Sequence, residues 1–243
     1  MSVNQRNYPI QSPHTVPSED VTVKVALLIL LLALLWGGNA VAVKTALRDT
    51  RPFILAGLRF SLGALVIGIW GLLNRVDLIP RRGEMRQIIM LSLLFTAQIC
   101  TFTMGVDLTL AGRASLFINT HPFFVAIIAH FFIPNDKLSI KTSLGLILAF
   151  CGVFIIFRDK IGYSGSRATG DGLMLTSSFL LGVLLVYTKR LVQRINAHKL
   201  LFWHMLLALP VFFGLGWLFE RSAQHTLSFS LVLAVLYQGI VVG

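Results

Sequence analysis

Beyond Lys24 the chain is a succession of eight long apolar runs, approximately 25–43, 52–73, 87–106, 114–133, 142–157, 172–188, 200–219 and 226–243, and no Asp or Glu falls inside any of them. Crossing about 30 Å of hydrocarbon at about 1.5 Å per residue takes roughly 20 mostly apolar residues, with roughly 17–25 tolerated. Each run meets or approaches that length. A soluble fold cannot hide so much apolar surface: 56% of the chain is hydrophobic and only 13% is charged, against about 25% charged in an ordinary soluble domain. In lipid every backbone N–H and C=O must be satisfied within the segment, which leaves helices or a closed barrel. The alternating ten-residue pattern of a barrel strand is absent. The expected class is therefore an all-α membrane protein, a multispanning bundle with about eight transmembrane helices.

The charges lie between the runs. A net charge of +11 would indicate nucleic acid if it were gathered on one face, but short basic clusters separated by apolar runs are the signature of loops that set membrane orientation. No nucleic-acid partner is expected, and membrane lipid is. With the N-terminus in the cytoplasm, twelve of the Lys and Arg residues outside the runs fall inside; eight (Lys44, Arg48, Arg51, Arg113, Arg158, Lys160, Arg167, Arg221) fall outside. The bias places residues 1–24 in the cytoplasm as a polar tail and the protein in the cell (inner) membrane. The first run has neither the basic start nor the small-residue cleavage site of a secretory signal, so it is read as a retained helix. Cys100 and Cys151 each sit alone in an apolar run, which offers no disulfide framework or metal cluster; both read as small core residues.

Sliding the chain on itself so that Leu35 meets Leu180 also pairs Gly37 with Gly182, Val41 with Val186, Lys44 with Lys189, Leu55 with Leu200, Leu62 with Leu207, Val66 with Val211 and Gly71 with Gly216. The Gly and Lys pairs carry most of the weight, because Leu and Val identities are cheap in this composition. The same register lays Arg59 on His204. A five-helix unit over 25–157 would enter the membrane in the opposite sense in its second copy, an inverted repeat of the kind common in secondary transporters. The second copy, 170–243, would then be incomplete, about two helices short.

Several polar residues inside the runs are candidates for a binding site. Arg59 stands eight residues into its run, and a charged residue at helix centre costs about 2.5–3.5 kcal/mol on insertion scales, so it must face protein or a watery cavity; it reads as an anion anchor or as a pin to helix-end carbonyls. Trp36 and Asn39 share a face beside Gly37 and Gly38, which permit close approach; they read as a stacking wall with a hydrogen-bonding point, or as plain packing. Ser115, Asn119 and Pro122 follow i, i+4, i+7 spacing, with His121 beside them. A proline within a run frees a carbonyl that must find another partner, and such breaks can form binding backbone; the alternative is a kinked helix with a hydrogen-bonded histidine. Gln98, Tyr187, His204 and Gln238 each place one polar group in an apolar helix, and each reads as a packing hydrogen bond or a ligand. The spacing of Gly145, Ala149 and Gly152 reads as close helix contact. Gly162-Tyr163-Ser164-Gly165 has the form of some intramembrane serine protease sites but lies between runs, so it is set aside.

Trp36-Gly-Gly-Asn39, then Lys44, then Pro52-Phe-Ile-Leu-Ala-Gly-Leu-Arg59-Phe60, resemble the opening of an EamA-like repeat of the drug/metabolite transporter superfamily. Ala114-Ser115, His121-Pro122-Phe123-Phe124, Lys137-Leu138-Ser139 and Leu144-Gly145 through Gly152-Val153 resemble the fourth and fifth helices of that repeat. Pro134-Asn135-Asp136 stands where the family usually has a Gly-Glu pair. The resemblance implies ten helices in two inverted halves, a central cavity for a small-molecule substrate, alternating access coupled to an ion gradient or to exchange, and no organic cofactor; a homodimer is a separate expectation of partners. The competing readings are a multispanning membrane enzyme, which would need a nucleophile and base or a carboxylate cluster in the membrane, and a non-transporting truncated fragment.

Overall fold

The computed structural model describes residues 22–133, 139–157, 165–221 and 226–242. The Pro134-Asn135-Asp136 departure, most of the polar N-terminal tail and Tyr163-Ser164 lie outside them. Two units are distinguished, Met1–Leu34 and Leu35–Gly243. The described part of the first is helical from Val23 onward.

All regular structure among the described residues is helical: α1 (Val23–Gly37), α2 (Asn39–Ala46), α3 (Pro52–Leu73), α4 (Glu84–Leu108), α5 (Ala111–Ile118), α6 (His121–Phe132), α7 (Ile140–Phe157), α8 (Gly165–Leu191), α9 (Ala197–Phe219) and α10 (Phe229–Leu236), the last running into a π-helical turn at Tyr237–Val242. Six apolar helical stretches are long enough to cross a membrane: Val23–Ala46, Pro52–Leu73, Glu84–Leu108, Ala111–Phe132, Ala168–Leu191 and Ala197–Phe219. The fifth and eighth runs correspond to shorter apolar helices, Ile140–Gly152 and Phe229–Val241.

Two of the long stretches are broken, each for a visible reason. Between α1 and α2 the Tyr237 hydroxyl donates to the Leu35 carbonyl, and a Cβ on Gly38 would stand 2.8 Å from that hydroxyl. The close approach expected of the glycine pair belongs to Gly38 alone, since a Cβ on Gly37 meets nothing within 4 Å. Between α5 and α6 the break falls at Asn119-Thr120, one turn before the proline, so that Pro122 occupies the first turn of α6, where its missing N–H costs nothing.

Helix ends are closed by side chains from elsewhere in the chain. The Glu220 carboxylate accepts from the Phe53 and Ile54 backbone N–H groups, each at 3.0 Å, at the start of α3; a carboxylate there meets both the orphan donors and the positive end of the helix dipole. Lys44 Nζ donates to the Val106 and Asp107 carbonyls at 2.8 and 2.6 Å, the complementary arrangement at the end of α4. At the opposite end of the bundle Lys199 Nζ reaches Glu84 at 3.2 Å and Asp77 at 3.6 Å, while Trp203 Nε1 donates to the Leu78 carbonyl at 2.6 Å. The α3–α4 loop is thereby strapped to the start of α9.

Among the described residues one apolar cluster joins α2, α5, α8 and α10 to α3 and α4, a second joins α3, α4 and α9, and a third joins α4, α8 and α9. Phe60 contacts Phe95 edge-on with ring centres 4.7 Å apart and stacks on Phe212 at 5.8 Å. A Cβ on Gly57 would stand 2.7 Å from the Phe213 ring, so this ring of α9 seats directly on the bare backbone of α3. Two sequence expectations are corrected here. Cys151 is exposed on α7 rather than in the core, and a Cβ on Gly145 or Gly152 would meet nothing within 4 Å. Gly145 and Gly152 therefore make no close helix contact among the described residues.

Candidate functional site

Between the helices of the second unit lies a cavity of about 780 Å³. Its wall is mostly apolar and aromatic, with Phe60, Phe95, Phe102, Leu184 and Met205 among the lining residues. Of the side chains singled out in the sequence, the structure brings seven to this cavity: Trp36, Asn39, Arg59, Gln98, Ser115, Asn119 and His204. His121, Pro122 and Tyr187 do not line it.

Arg59 is 3% exposed. Its Nη1 donates to Gln238 Oε1 at 3.0 Å and its guanidinium carbon lies 4.4 Å from the centre of the Phe60 ring. Its Nε has no hydrogen-bond partner. The helix-end carbonyls considered as an alternative anchor are not what holds it. Gln238, which reads from the sequence only as one isolated polar group in an apolar helix, is fully buried and sits in the π-helical turn, a geometry that recurs at functional sites. His204, its counterpart in the internal repeat, stands on α9 with Nδ1 donating to the Leu200 carbonyl at 2.7 Å and its ring edge-on to Phe95 at 4.4 Å.

Asn39 is buried and its Oδ1 is unpartnered. Trp36 and Asn39 flank the break at Gly38, so the kink determines how both are presented to the cavity. Gln98 is occupied: its amide donates to Ser177 Oγ at 3.0 Å, and Ser177 returns a bond to the Gln98 carbonyl at 3.2 Å, tying α4 to α8.

The polar stripe on α5 and α6 divides at the break. Ser115 and Asn119 face the cavity, but the carbonyls freed there are consumed locally. Asn119 Nδ2 donates to the Ser115 carbonyl at 2.6 Å, Thr120 Oγ1 to the Phe117 carbonyl at 2.7 Å, and His121 Nδ1 to the Ile118 carbonyl at 2.9 Å. No binding backbone is left open by Pro122, and the His121 ring acts as a cap. Tyr187 packs instead with Ile88, Leu91 and Leu191 in a separate apolar cluster.

A buried ion pair was not legible in the sequence. Asp171 accepts from Thr109 Oγ1 at 2.7 Å and from Arg113 Nε at 3.1 Å, and Arg113 Nη2 completes a bidentate pair. Arg113 reads as a loop cation and Asp171 falls just outside the sixth run, but both lie within helices that start before the apolar runs do, Arg113 in α5 from Ala111 and Asp171 in α8 from Gly165. Among the described residues no group of three or more His, Cys, Asp or Glu side chains converges as a metal site would require.

The fold and the cavity define an integral membrane protein built as a helical bundle around a solute-sized space. The EamA-like transporter family model matches residues 23–158 and 168–243, and the chain belongs to that family. It is 26% identical over 220 residues to the uncharacterized transporter YoaV of Bacillus subtilis, covering 90% of this chain and 75% of that protein. It is also 26% identical over 226 residues to a probable amino-acid metabolite efflux pump of Escherichia coli, covering 90% and 74%. A solved crystal structure shares the fold at a TM-score of 0.72 with 20% identity, covering 90% of this chain and 75% of that one.

Proposed function

We propose that this protein is a secondary-type transporter that moves small metabolites or drug-like molecules across the cell membrane by alternating access, with the central cavity as its substrate site. The observation that carries the reading is a cavity of about 780 Å³, within the range of small-molecule sites, enclosed by a bundle whose family and named relatives are transporters. Trp36, Asn39, Arg59, Gln98, Ser115, Asn119, Thr188 and His204 form its polar inventory. The transport reading is favoured over a membrane enzyme by the family and the named relatives, which are transporters.

The two-fold inverted repeat is favoured by the way the helices pair. α4 packs most extensively on α8, and α2 correspondingly on α10; α3 and α9, the repeat-related pair carrying Arg59 and His204, pack on each other. The cytoplasmic N-terminus gains support from the outside cations Lys44 and Arg113, which the fold uses on α4 carbonyls and on Asp171; they are structural rather than loop charges, which widens the bias toward the inside. A homodimer is an arrangement that would cover the open positions at Gly145 and Gly152 on α7. Solute flux into proteoliposomes tests the transport reading: it requires flux of at least one small solute above that of empty vesicles, and a panel of organic anions, neutrals and cations that all fail to move would remove it.

A further inference from the structure

Three cationic side chains are buried among the described residues: Arg59, Arg113 and Lys199. The fold supplies carboxylates for two of them, Asp171 for Arg113 and the Glu84–Asp77 pair for Lys199. Arg59 has none among the described residues. Its partners are a neutral amide and a ring face, and neither cancels a formal charge. A buried charge without a counter-ion is strongly unfavourable unless something completes it. Arg59 is also the one of the three that lines the cavity, and it is the only described lining residue with a permanent charge.

The donors around that charge are incomplete in the same sense. Arg59 Nε and Gln238 Nε2 are buried without acceptors, and Gln238 Oε1 holds the guanidinium through Nη1, leaving further N–H groups of the planar fork for an anion. Among the described lining residues the fully buried acceptor without a partner is the neutral Oδ1 of Asn39. It suits a single N–H or O–H donor. A full ammonium group, strongly hydrated and carrying three donors, would find no carboxylate in this lining to replace its water.

We infer that the cavity selects amphipathic monocarboxylates: one carboxylate paired with Arg59, an apolar or aromatic body against Phe60, Phe95 and Met205, and no ammonium group. Gln238 is a positioning residue that orients the guanidinium. The inference rests on the cavity being the substrate site of the transport reading, and it specifies what that site takes and rejects.

The test measures binding to the purified full chain in lipid nanodiscs by ligand-induced thermal stabilisation. The ligands share one phenyl body and differ in charge: phenylpropionate, phenylpropionamide, phenylalanine and phenethylamine, with sodium chloride as the inorganic control. Phenylpropionate is expected to bind tightest, roughly ten- to a hundred-fold above the amide and the zwitterion, the ratio that corresponds to a charge-assisted hydrogen bond of about 1.5–3 kcal/mol. R59Q should erase that preference. If R59Q does not fold, N39D serves instead: a carboxylate placed in the wall should move the preference toward phenylalanine and away from phenylpropionate.

Phenylalanine or phenethylamine binding the native chain as tightly as phenylpropionate overturns the inference. So does binding of none of the four, an unchanged preference in N39D, or stabilisation by chloride that phenylpropionate does not compete with, which would mark a small-anion site. Flux is read separately on the same preparations. The predicted binding order with no flux of any solute removes the transport reading and leaves the site chemistry standing; flux of amines or neutral solutes without carboxylate binding does the reverse.

Discussion

Replacing Asp171 by Asn tests whether the buried pair with Arg113 holds the start of α8 against the α4–α5 turn. The native carboxylate accepts three hydrogen bonds, one from Thr109 and two from Arg113, and the two side chains are only 10% and 8% exposed. An amide keeps the shape, yet one of its two positions becomes an NH₂ group facing the guanidinium, and Arg113 loses the Asp171 carboxylate. Breaking a buried pair in this one-sided way costs about 3–5 kcal/mol, which for a chain of this size corresponds to roughly 6–20 °C in melting temperature. Fluorescence-detected size exclusion after heating in detergent measures it. The double variant R113M/D171L removes both charges and should recover most of the loss, since apolar replacement of a whole buried pair is often neutral or better. A D171N protein that melts within about 2 °C of the native one, less than the roughly 2–4 °C expected for even 1 kcal/mol, would refute the reasoning.

Other substitutions probe separate parts of the account. E220A should destabilise by about 1–2 kcal/mol by uncapping α3, with E220Q intermediate because its one amide oxygen can replace only one acceptor; thermal melts of the pair check the order. G239A should cost more than G37A, because a Cβ on Gly239 meets the Arg59 carbonyl at 2.8 Å whereas one on Gly37 meets nothing within 4 Å; about 1–3 kcal/mol is expected for the first from overpacking, and the same melts read it. W203F, which removes the hydrogen bond to the Leu78 carbonyl, should cost about 0.5–1.5 kcal/mol and speed protease cutting in the α3–α4 loop.

The fold was largely written in the apolar runs, because in lipid a long uncharged segment has one way to satisfy its backbone. The site was only partly legible. Arg59 and Asn39 stood out because polar groups among apolar neighbours need a reason to be there, and the same reasoning found His204. The aromatic wall of Phe60 and Phe95 was invisible for the opposite reason: when nearly every residue in a helix is apolar, periodicity does not say which face meets a cavity and which meets lipid. His121 and Pro122 misled because a proline break frees carbonyls in principle, and only the structure reveals that the His121 ring, Asn119 and Thr120 take them. The pair of Arg113 and Asp171 was missed because helices extend past the ends of apolar runs, so charges read as loop residues can be buried at helix ends.

The most direct test of the central claim is solute flux through a cavity filled by substitution. In proteoliposomes, S115W places an indole in the space that Ser115 lines, and C151W places the same indole on the exposed side of α7. The account predicts that S115W abolishes flux of whichever solute the native chain moves while the protein stays monodisperse, and that C151W leaves flux near the native rate. Flux that survives S115W unchanged would contradict it, because the solute would then be crossing somewhere other than this cavity.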